Sequence, residues 1–92
     1  MITLEVQTAE STARAFTAEG CRSLIRASEA RLREIDALDL QFGERGAESR
    51  AAGRIMANEK LERARAALAI RLERDEFHAR DRADARDAAA QV

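Results

Sequence analysis

The sequence contains no proline, no tryptophan and no tyrosine, and it has only three phenylalanines among its 92 residues. Without proline, no residue interrupts a helix by removing a backbone donor. Without large aromatic side chains, there is little bulky material for a globular core. The abundant residues are alanine, arginine, glutamate and leucine, which are strong helix formers. The sequence therefore predicts long helices around a small core.

The chain has a single cysteine, Cys21, and a single histidine, His78. One cysteine cannot form an internal disulfide, and one cysteine with one histidine is too small a ligand set for zinc. A catalytic triad would depend on His78 alone, and no glutamate stands three residues before it, as helical di-metal carboxylate sites require. We therefore predict a non-enzymatic protein without metal or cofactor, with Cys21 buried and His78 facing solvent.

Charge is abundant but balanced, since 16 basic residues oppose 17 acidic ones and the net charge is −1. This balance argues against a polyanion mimic and against a generally basic nucleic-acid-binding protein. The first residues, MITLEVQTAE, lack the basic and apolar regions of a signal peptide, and no apolar run approaches the roughly 18 residues of a membrane span. The expectation is a cytoplasmic protein without a membrane segment.

A chain of 92 residues forms one small domain, which buries only roughly 60% of the surface of its unfolded state. Residues 1–7 alternate apolar and polar types in ITLEV, which predicts a short extended segment. A lone strand is unstable. The segment therefore pairs with a second copy, pairs with the sheet edge of a partner, or packs on a helix.

Residues 9–42 are predicted to form the first helix, with Thr8 as its N-cap. Apolar and small residues recur at helical spacing and form one stripe. The stripe consists of Ala18, Cys21, Leu24, Ile25, Ser28, Leu32, Ile35, Leu38 and Phe42, and Asp39 falls at one of its heptad positions. Gly20 costs about 1 kcal/mol relative to alanine inside a helix. A kink near Gly20, giving a short helix before a longer one, is therefore an alternative to one continuous helix.

Three of the four glycines, Gly43, Gly46 and Gly53, are clustered after the first helix. Gly43 follows the last residue of the stripe, where a C-terminal glycine with positive φ is common. A phosphate-binding loop would need a preceding strand and a following lysine with a hydroxyl residue, and GERG has neither. We predict a bend over residues 43–53, although AESRAAG is also compatible with the first turn of the next helix.

Residues 54–89 are predicted to form the second helix, which ends in a solvated, charged segment after Phe77. One side of this helix faces the first helix and carries Ala57, Leu61, Ala64, Leu68, Leu72 and Ala79. Ile55, Ile70 and Phe77 lie on the opposite side. An isolated hairpin cannot bury both sides, so these three residues are predicted to form a protein interface. The alternative is that part of this second face belongs to the intramolecular core.

The predicted fold class is all-α: two long antiparallel helices that form a hairpin and associate into a bundle as a homodimer. The predicted function is protein–protein interaction, as a small adaptor, regulator or inhibitor of a larger assembly, of a kind common among phage and plasmid accessory proteins. The alternative is a dimeric RNA- or DNA-binding regulator. Its contacts would be Arg22, Arg26, Arg33, Arg63, Arg71 and Arg74. Interleaved acidic residues and the lack of an aromatic platform disfavour that alternative.

Overall fold

The computed structural model describes residues 8–90, and the predicted extended segment 1–7 lies outside the described residues. Three helices follow one another: α1 (Ala9–Ala15), α2 (Ala18–Phe42) and α3 (Ala47–Ala90). Within residues 8–90 there is no strand. The prediction of an all-α protein is confirmed.

The predicted first helix is broken at Phe16 and Thr17, ahead of Gly20. Phe16 has an extended backbone, and the Thr17 hydroxyl accepts a hydrogen bond of 3.1 Å from the backbone N–H of Gly20. Thr8 starts α1 in a similar way, in a capping box with Ser11. A short helix therefore precedes a longer one, and threonine caps set the boundary. Gly20 allows a close approach, because a Cβ added there would lie 3.2 Å from the Phe16 side chain.

The connection between α2 and α3 consists of residues 43–46, so it is shorter than the predicted bend over 43–53, and α3 begins at Ala47. Gly43 and Gly46 have positive φ angles of 56° and 75°, a region that residues with a Cβ rarely adopt. Gly53 lies inside α3, where an added Cβ would be 3.6 Å from the Ile35 side chain. Two glycines therefore turn the chain, and the third packs against α2.

The core lies where α2 and α1 pack against α3. The buried residues are Ala13 of α1; Cys21, Ser28 and Ile35 of α2; and Ala57, Leu61, Ala64 and Ala67 of α3. Most of them belong to the two predicted stripes. Ile35 and Cys21 are the largest fully buried side chains, so the core is small. At the ends of the stripes, Phe42 and Leu72 are exposed.

The three helices form a flat, extended arrangement that measures 72 × 38 × 13 Å. The arrangement is thin in one direction: α2 and α3 lie side by side as a layer, and the short α1 packs mainly on α3. At 1.5 Å per residue, α3 is about 66 Å long and α2 about 38 Å long. The last part of α3, residues 75–90, is exposed throughout. No bundle is therefore formed within the described part of one chain.

A guanidinium group holds the connection between α2 and α3. Arg50 Nε donates to Asp39 Oδ1 at 2.5 Å, and Arg50 Nη1 donates to the carbonyl of Arg45 at 2.5 Å. Arg50 Nη2 donates to the carbonyl of Gly43. The Arg50 side chain of α3 thereby binds two carbonyls of the connection and a carboxylate of α2. Apolar periodicity gives no sign of these contacts, and the sequence analysis does not predict them.

Protonation of Asp39 is expected to weaken the contact between α2 and α3. Hydrogen bonds from Arg54, at 2.5 Å, and from Arg50 hold the pKa of Asp39 below its ordinary value of 3.8. A carboxyl group whose folded-state pKa is lowered stabilises the protein above its unfolded pKa, and this contribution is lost as the pH falls through the folded value. We expect Asp39→Asn to lower the Tm at neutral pH and the difference from wild type to shrink below about pH 4.

Thermal unfolding is followed by circular dichroism from neutral pH to below about pH 4. The Tm difference between Asp39→Asn and wild type is compared at each pH. Asp84→Asn, at an exposed position of α3, is the control and should differ little from wild type at any pH. A Tm difference for Asp39→Asn that is the same on both sides of this range would contradict the assignment.

Candidate protein interaction surfaces

One face of the helical layer contains an open groove with a volume of about 710 Å³. It lies between α2 and α3 and is closed at one end by α1. Small and apolar side chains form most of its lining: Ala15, Phe16, Leu24, Ala27, Gly53, Met56, Ala57 and Ala64, together with Ser11, Thr12 and Ser28. Phe16 and Met56 are exposed, so the groove presents large apolar side chains to solvent.

The groove exists because α1 is too short to cover the layer. α1 has 7 residues, whereas α2 has 25. Glu10 of α1 binds Arg74 of α3, and the carbonyl of Ala13 accepts a hydrogen bond of 3.5 Å from Arg71. Later residues of α1 therefore contact earlier residues of α3. The groove begins where α1 ends, and α3 lines it with residues between 53 and 64.

The charged side chains that line the groove are all basic. They are Arg31, Lys60 and Arg63, and no carboxylate occurs among the described lining residues. Arg31 also forms an ion pair of 3.0 Å with Glu34, which lies outside the lining. Arg63 also has an interaction within the chain. The basic side chains beside this apolar surface are therefore at least partly compensated.

The three predicted interface residues differ in how far their side chains are exposed. Ile55 and Phe77 are 60% and 66% exposed on α3. Ile70 is half-buried and packs against the cluster formed by Ala13, Cys21 and Ala67. The alternative that part of this face belongs to the intramolecular core therefore holds for Ile70. The cause is that α1 separates from α2 and packs on α3, which helical periodicity alone does not show.

Several of the candidate nucleic-acid-binding arginines form ion pairs with carboxylates. Arg22 and Arg26 lie 3.7 and 3.2 Å from Glu19. Arg71 Nε lies 3.3 Å from Asp75, and Arg74 binds Glu10. Arg33 is exposed on α2, whereas Arg63 lines the groove on α3. Two of these arginines, Arg71 and Arg74, bind residues of α1.

Cys21 is fully buried, as predicted, and His78 is exposed, with its ring 5.9 Å from that of Phe77 in an edge-on arrangement. Among residues 8–90, no group of three or more potential ligands is placed to hold a metal ion. No helix in the same range is long and apolar enough to cross a membrane.

No family model, curated protein or solved structure matches this chain. A function must therefore be argued from the two surfaces themselves: the open groove, and the face of α3 that carries Ile55 and Phe77.

Proposed function

We propose that this chain is a non-enzymatic protein–protein interaction module: a small cytoplasmic adaptor, regulator or inhibitor of a larger assembly that works as a homodimer. The observation that carries the proposal is the thin helical arrangement, 13 Å in its smallest dimension, which leaves large apolar side chains uncovered. A layer of this kind is completed by packing against another protein surface.

The small core supports association. Among residues 8–90, the largest fully buried side chains are those of Ile35 and Cys21. Domains of this size have little stability to spare, and those without disulfides or metals commonly gain stability from oligomerisation. Burial of Ile55 and Phe77 on both copies would add about 1.5–3 kcal/mol for each side chain that becomes fully buried.

The spacing of Ile55, Ala66 and Phe77 along α3 favours a two-fold dimer. Ile55 and Phe77 lie equally far from Ala66, which is exposed and small. Antiparallel pairing of two α3 helices with Ala66 at the two-fold axis places Ile55 of each copy opposite Phe77 of the other copy, as an isologous interface requires. The small side chain of Ala66 allows the helices to approach closely at the centre. Each copy then contributes its α2–α3 hairpin to a four-helix arrangement.

The exchange of both exposed residues for aspartate tests this dimer. We expect wild type to have twice the chain mass of 10.2 kDa, and Ile55→Asp with Phe77→Asp to bind its partner copy at least about 100-fold more weakly, because four apolar side chains per dimer are replaced. Ile70 is left unchanged because it packs against the core. The measurement is size-exclusion chromatography with light scattering and refractive-index detection over a concentration series.

Leu40→Asp with Ala37→Asp is the control, since it adds the same charge at exposed positions of α2. We expect this variant to remain dimeric, and the wild-type dimer to persist in high salt because its interface is apolar. A monomeric wild type, or a dimer that survives Ile55→Asp with Phe77→Asp, overturns the assigned interface. A complex that absorbs like nucleic acid and dissociates with salt favours the nucleic-acid alternative.

A further inference from the structure

We propose that α1 is a hinged cover that opens as a unit at Phe16 and Thr17 while α2 and α3 stay folded and packed together. In the closed state, Ala13 of α1 belongs to one buried cluster with Cys21 of α2 and Ala67 of α3. Opening uncovers the Cys21 thiol and the apolar surface of α3 around Ala67. None of these residues belongs to the proposed dimer face, so the motion does not depend on the dimer.

The contacts between α1 and α3 are weak within residues 8–90. α1 has 7 residues, and the one side chain that it buries is the small Ala13. The ion pair between Glu10 and Arg74 joins side chains that are 44% and 39% exposed, and exposed pairs contribute little to stability. The hydrogen bond from Arg71 to the carbonyl of Ala13 is long, at 3.5 Å. Because isolated helices of this length are marginal in water, α1 depends on these contacts.

α2 does not need α1 in order to begin. The Thr17 hydroxyl accepts a hydrogen bond from the backbone N–H of Gly20, and Glu19 lies in the first turn of α2, where the helix dipole favours negative charge. Phe16 has φ and ψ angles of −123° and 145°, and Thr17 has −69° and 170°. Two residues with extended backbone therefore separate two helices that are capped independently. Rotation at these residues moves α1 without breaking the backbone hydrogen bonds of α2.

A buried polar group beside α1 also favours opening. Arg71 Nε is buried without a hydrogen bond in the described part of the chain, and it lies 3.3 Å from Asp75. Arg71 Nη1 contacts the carbonyl of Ala13, so the guanidinium group lies against α1. A buried donor without a hydrogen bond raises the free energy of the closed state. Opening of α1 lets water reach this donor, which lowers the free energy difference between the two states.

The contact between α2 and α3 is much stronger than the contact of α1. Ile35 is fully buried there, and the Arg50 side chain binds a carboxylate of α2 and two carbonyls of the connection. Proteins open locally at their least stable segments before they unfold globally. For the cluster around Cys21, that segment is α1.

Labelling of the Cys21 thiol measures the opening, because Cys21 is fully buried and is the only cysteine in the sequence. Its thiolate attacks an aromatic disulfide reagent, forming a mixed disulfide and releasing a coloured thiolate. When opening and closing are fast, the labelling rate is proportional to the population of the open state. Opening of α1 alone exposes little surface, so we expect the rate to change less than about twofold per molar urea below the unfolding transition. Labelling through global unfolding would rise about tenfold per molar urea.

Two aspartate variants on α1 test whether this helix is the cover. Ala13→Asp is expected to raise the labelling rate at least about 100-fold, because a carboxylate without a partner is costly at a fully buried position. Ala15→Asp makes the same change at an exposed position of α1 and should stay within about threefold of wild type. Circular dichroism should show that α2 and α3 keep their helix content in both variants.

A labelling rate that rises with urea as steeply as global unfolding overturns the proposal, since Cys21 would then be exposed only when the whole chain unfolds. Equal rates in Ala13→Asp and Ala15→Asp, or loss of α2 and α3 in Ala13→Asp, also overturn it. Ile55→Asp with Phe77→Asp should label at the wild-type rate. A faster rate in that variant would show that dissociation of the dimer, and not motion of α1, uncovers Cys21.

Discussion

Ile35→Ala is expected to lower the free energy of unfolding by about 2–5 kcal/mol, the range found for such truncations in protein cores. Ile35 is 1% exposed and is the largest of the fully buried side chains. Its Cδ1 lies 3.6 Å from the place where a Cβ on Gly53 would be, so it fills the contact between α2 and α3. Natural domains are typically stable by only about 5–15 kcal/mol, so this single change would remove a large share of the total.

Leu40→Ala provides the matched control, because a side chain of the same size is truncated on the same helix at a position that is 90% exposed. Surface changes of this kind usually stay within about 0.5 kcal/mol of wild type. Urea unfolding followed by circular dichroism, at one fixed protein concentration, measures both variants. A similar loss for Leu40→Ala and Ile35→Ala would show that α2 does not pack on α3 through Ile35.

The core positions of α2 are predictable from sequence because they depend only on helical periodicity. Cys21, Ser28 and Ile35 recur every seven residues, and all three are buried. Ala57 and Leu61 of α3 follow from the same reasoning. The prediction fails at Phe42, Leu72 and Ala79, where the side chains are exposed, because periodicity does not show how far along each helix its neighbours extend.

The placement of α1 could not be predicted in this way. Thr17 has the same capping chemistry as Thr8, and it separates two helices within a segment whose pattern continues across the break. Once separated, α1 packs on α3 and brings Ala67 and Ile70 into the core. Because α1 packs there, Ile70, which was predicted to lie in the interface, packs against the core instead. The same placement of α1 leaves the groove open.

The groove and the proposed dimer face, which carries Ile55 and Phe77, differ in how far the sequence predicts them. The exposed residues Ile55 and Phe77 are identified by helical periodicity alone, since both fall outside the stripe that faces α2. The lining of the groove comes from three separate segments, and Arg31 and Lys60 become neighbours of one surface only after α2 packs on α3. Periodicity within one helix carries no information about such contacts between helices.

Arg50→Met is expected to lower the free energy of unfolding by about 2–4 kcal/mol, because hydrogen bonds that involve charged groups contribute about 1.5–3 kcal/mol each and the lost contacts are partly replaced by water. The Arg50 side chain is only 11% exposed and binds Asp39 of α2 and the carbonyls of Gly43 and Arg45 in the connection. Methionine keeps much of the apolar stem and removes the guanidinium group, so the variant isolates these hydrogen bonds from packing.

Two further variants separate geometry from charge. Arg45→Met removes the same charge from an exposed side chain in the connection and should stay within about 0.5 kcal/mol of wild type. Arg50→Lys keeps the charge but cannot reproduce the planar fork that reaches all three acceptors, so it should lose most of what Arg50→Met loses. Stability of Arg50→Lys equal to wild type would show that charge alone holds the connection. In the Asp39→Asn background, the effect of Arg50→Met should be smaller than in wild type, because the two side chains share one contact.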